Sequence, residues 1–310
     1  MKRTGRKTRE NLNRLATEQS NRVSTDLDMK SALEVARVIN AEDAKVAAAV
    51  ERALPQIARA INVIADALKH GGRLIYVGAG TSGRIAALDA AECPPTFNVD
   101  PRSVQFVMAG GPWALAAAVE ANEDSRALGE REIAKRKPGR EDVVVGIAAS
   151  GRTPFTVAAI EYARRKGATA IAVVCNRNTP LQRAADFAIV TEVGPEVISG
   201  STRMKAGTAQ KMVLNMLSSG AMTRLGYVYG NLMVNVTPRN SKLLARGVTI
   251  LQRSTGLNRT VAERALKAAG NSVPVALVML QAKVDRREAE RVLKSAEGHV
   301  RHAIAAARSL

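Results

Sequence analysis

The spacing of apolar residues along the chain changes character twice. From Asp28 to Ile39 they recur at helical intervals (Met29, Leu33, Ala36, then Val38 and Ile39), and the pattern continues over Glu42–Leu54 and Gln56–Leu68. Pro55 separates the last two helices, and Gly71-Gly72 stops the third as a C-cap. Beyond it, short β-branched runs alternate with amphipathic stretches. Arg73–Val77, Val104–Met108, Asp142–Ile147, Thr169–Val174 and Phe187–Thr191 read as strands. Helices are expected through Ala91, from about Trp113, over Phe155–Lys166 and over Met204–Leu225. Apolar strand runs such as Val143-Val144-Val145, set between helices, predict βαβ units and a parallel sheet covered on both faces. From about residue 239 three helical patterns, broken at Gly256 and at 270–274, predict a small module without evident chemistry. The expected organisation is a disordered basic leader over 1–16, a helical segment over 17–63, an α/β domain over 64–227 and a helical module over 228–310.

Ligands of such sheets bind at the carboxyl ends of the strands. That rule selects residues 78–84, 109–113, 148–154, 175–179 and 194–203 before any motif is weighed. The first carries Gly78-Ala79-Gly80-Thr81-Ser82-Gly83-Arg84, whose glycines turn tightly into a helix N-terminus and whose Thr81, Ser82 and Arg84 add hydroxyls and charge. It matches a dinucleotide GxGxxG literally, yet no acidic residue ends the second strand (Met108-Ala109-Gly110-Gly111) to hold a ribose. The hydroxyl-rich form suits a terminal phosphate better. Ser150-Gly151-Arg152-Thr153-Pro154 occupies the same place after the third strand, with Thr153 as N-cap and Pro154 as first helical residue. Two equivalent turns loaded with Ser, Thr and Arg point to the phosphate end of a sugar phosphate. A third patch opens the long helix: Ser201 and Thr202 are N-cap candidates, and Lys205 is placed to offer a point charge to an anion.

The formal charge of +18 changes this picture little. Residues 1–22 carry seven Lys/Arg against two acids and residues 239–310 carry fourteen against five, which leaves only +4 for the long middle that holds the motifs. With no zinc spacing or aromatic interleaving, nucleic acid is not an expected partner. Cys93 and Cys175 lie in different elements and read as reduced structural thiols of a cytoplasmic protein. No apolar run approaches a bilayer span, and the basic N-terminus lacks the apolar segment of a signal peptide. Histidine is scarce and away from the strand ends, so carboxylates must move the protons. The candidates are Glu92, in Asp89-Ala-Ala-Glu92-Cys-Pro-Pro-Thr96, and Glu120, Glu123 and Asp124 after the second strand.

Gly78–Arg84, Leu88–Thr96, Val145–Pro154, Gly194–Lys211 and Tyr229-Gly-Asn-Leu-Met233 together closely resemble the N-acetylmuramic acid 6-phosphate etherases, over nearly the whole chain from Thr17-Glu18 onward. The resemblance implies a sugar isomerase (SIS) domain with a flavodoxin-like, doubly wound, five-stranded parallel sheet. It also implies a homodimer working without metal or nucleotide cofactor, and cleavage of a lactyl ether during cell-wall recycling. It makes Glu92 the general acid for lactate departure and Glu123 the second acid/base; where Asn122 stands the family usually has a small residue, and the alignment favours Glu123 over Glu120. Gly80, Thr81, Ser82, Arg84, Ser150, Arg152, Thr153, Ser201, Thr202 and Lys205 are then the expected substrate-binding residues, with C2 and C3 of the sugar between Glu92 and Glu123. Three alternatives share the domain. A phosphosugar isomerase would not require the Glu92 motif. A sensor such as glucokinase regulatory protein could lack one acid. A DNA-binding regulator would need a recognition helix that residues 28–68 do not provide.

Overall fold

A computed structural model describes residues 15–117, 122–236 and 241–309 of the chain. Residues 1–14 of the expected leader and the candidate Glu120 lie outside the described residues. At the first of these, Leu15 is already buried and the amide of Ala16 donates to Asn176 Oδ1 at 2.9 Å, so the packed body includes the last two residues assigned to the leader.

Three short 3-10 turns cover Ala16–Glu18, Arg22–Ser24 and Leu27–Met29 before the first α-helix, α1 (Ala32–Asp43). The expected start at Asp28 is displaced by a capping box. The Ser31 hydroxyl accepts from the Glu34 amide while the Glu34 carboxylate accepts from the Ser31 amide, and Met29 and Leu33 are left exposed. Helices α2 (Val46–Glu51) and α3 (Leu54–Lys69) follow, with Pro55 in the first turn of α3, where its missing N–H costs nothing.

Strands β1 (Leu74–Gly78), β2 (Val104–Met108), β3 (Val143–Ile147), β4 (Thr169–Val174) and β5 (Phe187–Val190) form one parallel sheet in the order β2-β1-β3-β4-β5. Their side chains alternate between two cores. Leu74, Tyr76, Val143, Val145 and Ile147 pack with α2, α3, α4 (Gly80–Phe97) and α8 (Lys205–Arg224). Ile75, Val77, Val144 and Val174 pack with α5 (Arg126–Ala134), α6 (Pro154–Arg165) and α7 (Pro180–Ala184). The order reverses direction between β1 and β3, and that switch point opens a crevice at the carboxyl edge of the sheet.

Two helices differ from expectation near this edge. α4 runs past Ala91 to Phe97 with Pro94 and Pro95 inside it, and Asn98 ends it in the left-handed conformation at φ 53°. No α-helix starts at Trp113. Gly110 (φ 83°) and Gly111 (φ 64°) turn the chain into a 3-10 turn over Gly111–Leu115, and α5 starts only at Arg126, capped by the Ser125 hydroxyl. Glu123 therefore stands in a loop.

The chain then makes a small antiparallel pair, β6 (Val228–Tyr229) with β7 (Leu232–Met233). Among the described residues five helices follow where three patterns were expected: α9 (Ser241–Thr255), α10 (Arg259–Ala268), α11 (Val273–Ala282), α12 (Arg286–Ser295) and α13 (Val300–Arg308). The Asn258, Ser272 and Asp285 side chains cap α10, α11 and α12 and so divide the helical pattern. These helices have a core of their own. Asn235 Nδ2 to the Phe97 carbonyl (2.7 Å) and the Lys69–Glu297 ion pair (2.8 Å) join them to the α/β body.

Candidate functional site

The first turn leaves β1 at Gly78 and enters α4 through Gly80, whose φ of 52° strains any residue with a Cβ. The first intrahelical bond runs from the Gly83 amide to the Ala79 carbonyl at 3.1 Å, so the amides of Gly80, Thr81 and Ser82 precede the ladder. No side chain at Ala79 caps them. Thr81 is half-buried at this end. The Ser82 hydroxyl is buried and donates to Gln210 Oε1 of α8 at 2.9 Å, so it faces the helix interface; only its backbone amide faces the turn. Arg84 also turns away from the expected phosphate. Its Nε and Nη2 donate to the Leu115 and Ala117 carbonyls at 3.2 and 2.8 Å, holding the loop that leads towards Glu123.

Glu123 joins the first two turns. A Cβ placed on Gly80 would lie 3.0 Å from Glu123 Oε1, so the glycine makes room for the carboxylate at the start of α4. The Glu123 carbonyl accepts from the Phe155 amide at 3.0 Å, which fixes its backbone to the start of α6. In the second turn Gly151 adopts φ 67°, and a Cβ there would sit 2.4 Å from Thr179 Oγ1. Ser150 Oγ accepts from the Arg152 amide at 3.3 Å, and the half-buried Thr153 is the N-cap residue of α6 without a side-chain cap bond.

Asn176, immediately after β4, was inside a selected loop but was not singled out. Its carboxamide donates to the Ala149 carbonyl (3.1 Å) and Thr17 Oγ1 (3.2 Å) and accepts from the Ala16 amide, fastening the N-terminal segment beside the second turn. An amide side chain one residue past a buried strand was the available signal, and its partner 159 residues away was not.

The third patch departs furthest from expectation. Lys205 is only 1 % exposed and its Nζ donates to Glu42 Oε2 at 2.5 Å, so it offers no charge to a ligand at the turns. Burial opposes ionisation of Glu42, but hydrogen bonds from Lys205, Lys45 and Asn21 outweigh it and hold the carboxyl down at about 2. Neither Ser201 nor Thr202 caps α8. The fully buried Glu196 does, accepting from the Lys205 and Ala206 amides at 2.9 Å each. Burial pushes its carboxyl upward against those two bonds. Ser201 and Thr202 are half-buried in the preceding turn.

At the carboxyl edge, then, Ser125, Thr179 and Glu196 occupy the first-turn amides of α5, α7 and α8, while the N-cap residues of α4 and α6 supply no side-chain cap. Of these two, α6 has a proline at its start and gives its Phe155 amide to Glu123. The start of α4 combines amides ahead of the helical ladder with the half-buried Thr81, features that favour an anion at a helix N-terminus.

Comparison with known proteins places this geometry. A family profile described as "Glucokinase regulatory protein N-terminal SIS domain" matches residues 56–164, and one described as "SIS domain" matches residues 137–219. The chain is 57% identical over 274 residues to the N-acetylmuramic acid 6-phosphate etherase of Symbiobacterium thermophilum, covering 88% of this chain and 91% of that one. It is 48% identical to the proteins so named from Photorhabdus laumondii and Streptomyces avermitilis, over 96% of this chain and 99% and 95% of theirs. The chain belongs to the N-acetylmuramic acid 6-phosphate etherase family.

In this etherase-family chain the two acids of the Leu88–Thr96 segment differ in burial, Asp89 lying at the edge of the packed face of α4 and Glu92 on its exposed one. Asp89 is buried and accepts from Tyr76 Oη (2.9 Å), Asn215 Nδ2 (2.7 Å) and Ser218 Oγ (3.1 Å), tying β1, α4 and α8 together. Burial raises its carboxyl, and the same burial, with the charge of Asp89, pushes the Cys93 thiol up to about 12. Glu92, one turn on, is exposed. From Gly80 to Glu92 is about 18 Å along a helix that rises ~1.5 Å per residue. The structure thus brings Gly80, Thr81 and Glu123 together with the second turn, and leaves Glu92 of the same chain at the far end of α4.

Proposed function

We propose that the protein cleaves the D-lactyl ether of N-acetylmuramate 6-phosphate, giving N-acetylglucosamine 6-phosphate and D-lactate, in the cytoplasm and as a homodimer. The observation that carries this reading is the Glu123 carboxylate placed against Gly80 at the N-terminus of α4, in a chain so similar to the etherases. The phosphate takes the Gly80, Thr81 and Ser82 amides with the Thr81 hydroxyl, and the Ser150 and Thr153 hydroxyls complete the cradle.

The reaction needs two proton-transfer groups. A lactyl alkoxide is a poor leaving group, and the proton at C2 becomes acidic only when the ring opens and C1 is an aldehyde. Glu123 takes the C2 proton. The C–H electrons form a C2–C3 double bond as the C3–O bond breaks, and Glu92 protonates the departing lactate oxygen. Water then adds across the double bond, hydroxyl to C3 and proton to C2, so the sum is one water consumed per ether cleaved. Positioning matters here because general acid–base groups contribute roughly 10²–10⁴-fold each when in hydrogen-bond reach.

The test is to incubate the protein with N-acetylmuramate 6-phosphate and assay D-lactate. Lactate is expected from the wild type, with a loss of at least about 100-fold in kcat for Glu123→Gln. Binding of the phosphosugar without lactate release would overturn the etherase reading in favour of a sensor.

A further inference from the structure

The amides proposed to hold the phosphate point where the first turn of α4 points, so whatever fixes that turn governs binding. We infer that Gln210, on α8, is a positioning residue for the phosphate. Through Ser82 it fixes the rotation of the first turn, and with it the direction of the Gly80, Thr81 and Ser82 amides, without touching the substrate. This rests on the etherase reading, with the phosphate at the start of α4, and adds the residue that orients the turn.

Three observations support it. First, the turn is closely packed, but by contacts without direction. On the sheet side a Cβ on Gly83 would lie 2.8 Å from Met108 Cγ, and one on Gly78 would lie 2.8 Å from the Gly83 nitrogen. On the other side Gly207 of α8 lies in van der Waals contact, since a Cβ there would be 3.5 Å from Thr81 Cγ2 and 3.6 Å from Ile85 Cδ1. Such contacts set how near the turn sits to its neighbours, whereas a hydrogen bond also sets an angle.

Second, a directional bond is present. Ser82 Oγ donates to Gln210 Oε1 at 2.9 Å, with both side chains buried. Gly207 and Gln210 are three residues apart and so share the face of α8 turned towards α4. Seven residues beyond Ser82, Asp89 accepts from Asn215 and Ser218 of α8. That pair of bonds holds the middle of α4, and Ser82–Gln210 holds its start.

Third, stability alone gives little reason for a carboxamide here. Gln210 is 1 % exposed and its Nε2 has no partner among the described residues. A stranded buried donor costs at least as much as one neutral hydrogen bond returns, and turning the amide over would strand Oε1 instead. A methionine would fill similar space without stranding anything on its own side chain. What the carboxamide adds is direction. Serine hydroxyls early in a helix otherwise bond to nearby backbone N–H groups, which here are the amides the phosphate needs. Gln210 draws the Ser82 hydroxyl into the helix interface and leaves those amides open.

The experiment compares the full chain with Gln210→Met, Ser82→Ala and the double variant, by D-lactate release and urea denaturation. Each single variant is expected to lower kcat/KM for N-acetylmuramate 6-phosphate at least about tenfold, most of it in KM. Because both act through one bond, the double variant should be no worse than the poorer single one. Replacing both partners by apolar groups strands nothing, so the double variant should unfold at the wild-type urea concentration and still keep the KM defect. A merely structural residue would move both together. Wild-type KM in Gln210→Met, losses that add in the double variant, or a double variant that recovers KM along with stability would overturn the inference. Calorimetric titration with N-acetylglucosamine 6-phosphate repeats the comparison without the reaction. A wild type that binds this sugar but releases no lactate defeats the etherase reading, whereas a Kd about tenfold weaker in Gln210→Met still upholds the role of Gln210.

Discussion

Replacing Lys205 by Met distinguishes a buried structural charge from a ligand-binding one. Lys205 (1 % exposed) and Glu42 (4 % exposed) meet at 2.5 Å between α8 and α1, with Asn21 Nδ2 donating to the same carboxylate at 2.9 Å. Removing the cation leaves a buried carboxylate supported by Asn21 and the exposed Lys45, and breaking such a pair costs about 3–5 kcal/mol. Unfolding entropy of about 2.1 cal/mol/K per residue makes this a fall of roughly 5–8 °C in Tm for a chain of 310 residues. Urea denaturation at pH 7 is the direct assay. The pH dependence supplies the sign. The Glu42 carboxyl sits at about 2 in the folded protein against a reference of 4.5, so its ionisation contributes stability above pH 4.5 that is lost as the pH falls towards 2. Below that window wild-type protein retains a buried ammonium beside a neutral acid, whereas the variant does not. The difference between the two should therefore be largest above pH 5.5 and shrink steadily through the acid window. KM for the phosphosugar should change less than about threefold, well below the 1.4 kcal/mol that a tenfold change represents. A variant with wild-type stability and a KM raised tenfold or more would refute the buried pair and return Lys205 to the phosphate.

Gly80→Ala puts a Cβ 3.0 Å from Glu123 Oε1 at a residue with φ 52°; it should cost about 1–2 kcal/mol in denaturation and at least tenfold in kcat/KM, and wild-type turnover would contradict the placement of Glu123. Asn176→Ala removes bonds to Ala149, Thr17 and Ala16, so limited proteolysis within residues 15–24 should accelerate, with a stability loss of about 1–3 kcal/mol. Burial pushes both thiols, Cys93 and Cys175, up to about 12, so Ellman's reagent should label neither in native protein at pH 8 and both after denaturation.

What the sequence made legible was the part of the molecule governed by short-range rules. Runs such as Val143–Ile147 read as strands because they are short, apolar and rich in β-branched residues, and the two hydroxyl-rich turns fall at strand ends as the parallel-sheet rule requires. The capping residue of α8 was not legible. Ser201 and Thr202 have the side chains of N-caps, but Glu196, carried in by the loop after β5, reaches the same amides with two oxygens. Lys205 misled for a related reason. A lysine in the first turn of a helix opposes the dipole, which reads as a ligand contact, but the compensating acid lies 163 residues away on α1. Arg84 and Ser82 likewise have the right chemistry for a phosphate and spend it on the Leu115 and Ala117 carbonyls and on Gln210, partners that only the tertiary fold supplies.

The acids of Leu88–Thr96 show how one helical turn separates stability from chemistry. Asp89 and Glu92 are three residues apart, and their sequence context alone does not rank them. Asp89 points into the core, where three donors from β1 and α8 occupy its oxygens; a substrate could reach it only by dismantling the packing of α4 against the sheet. That network fixes the rotation of α4 about its axis. With the rotation fixed, Leu88 and Glu92, four residues apart, face outward together, so the residue proposed as general acid stands on the exposed face of the helix. Exposure leaves Glu92 able to meet a ligand without any cost to the packing of α4, which Asp89, with its oxygens occupied by three donors, could not do.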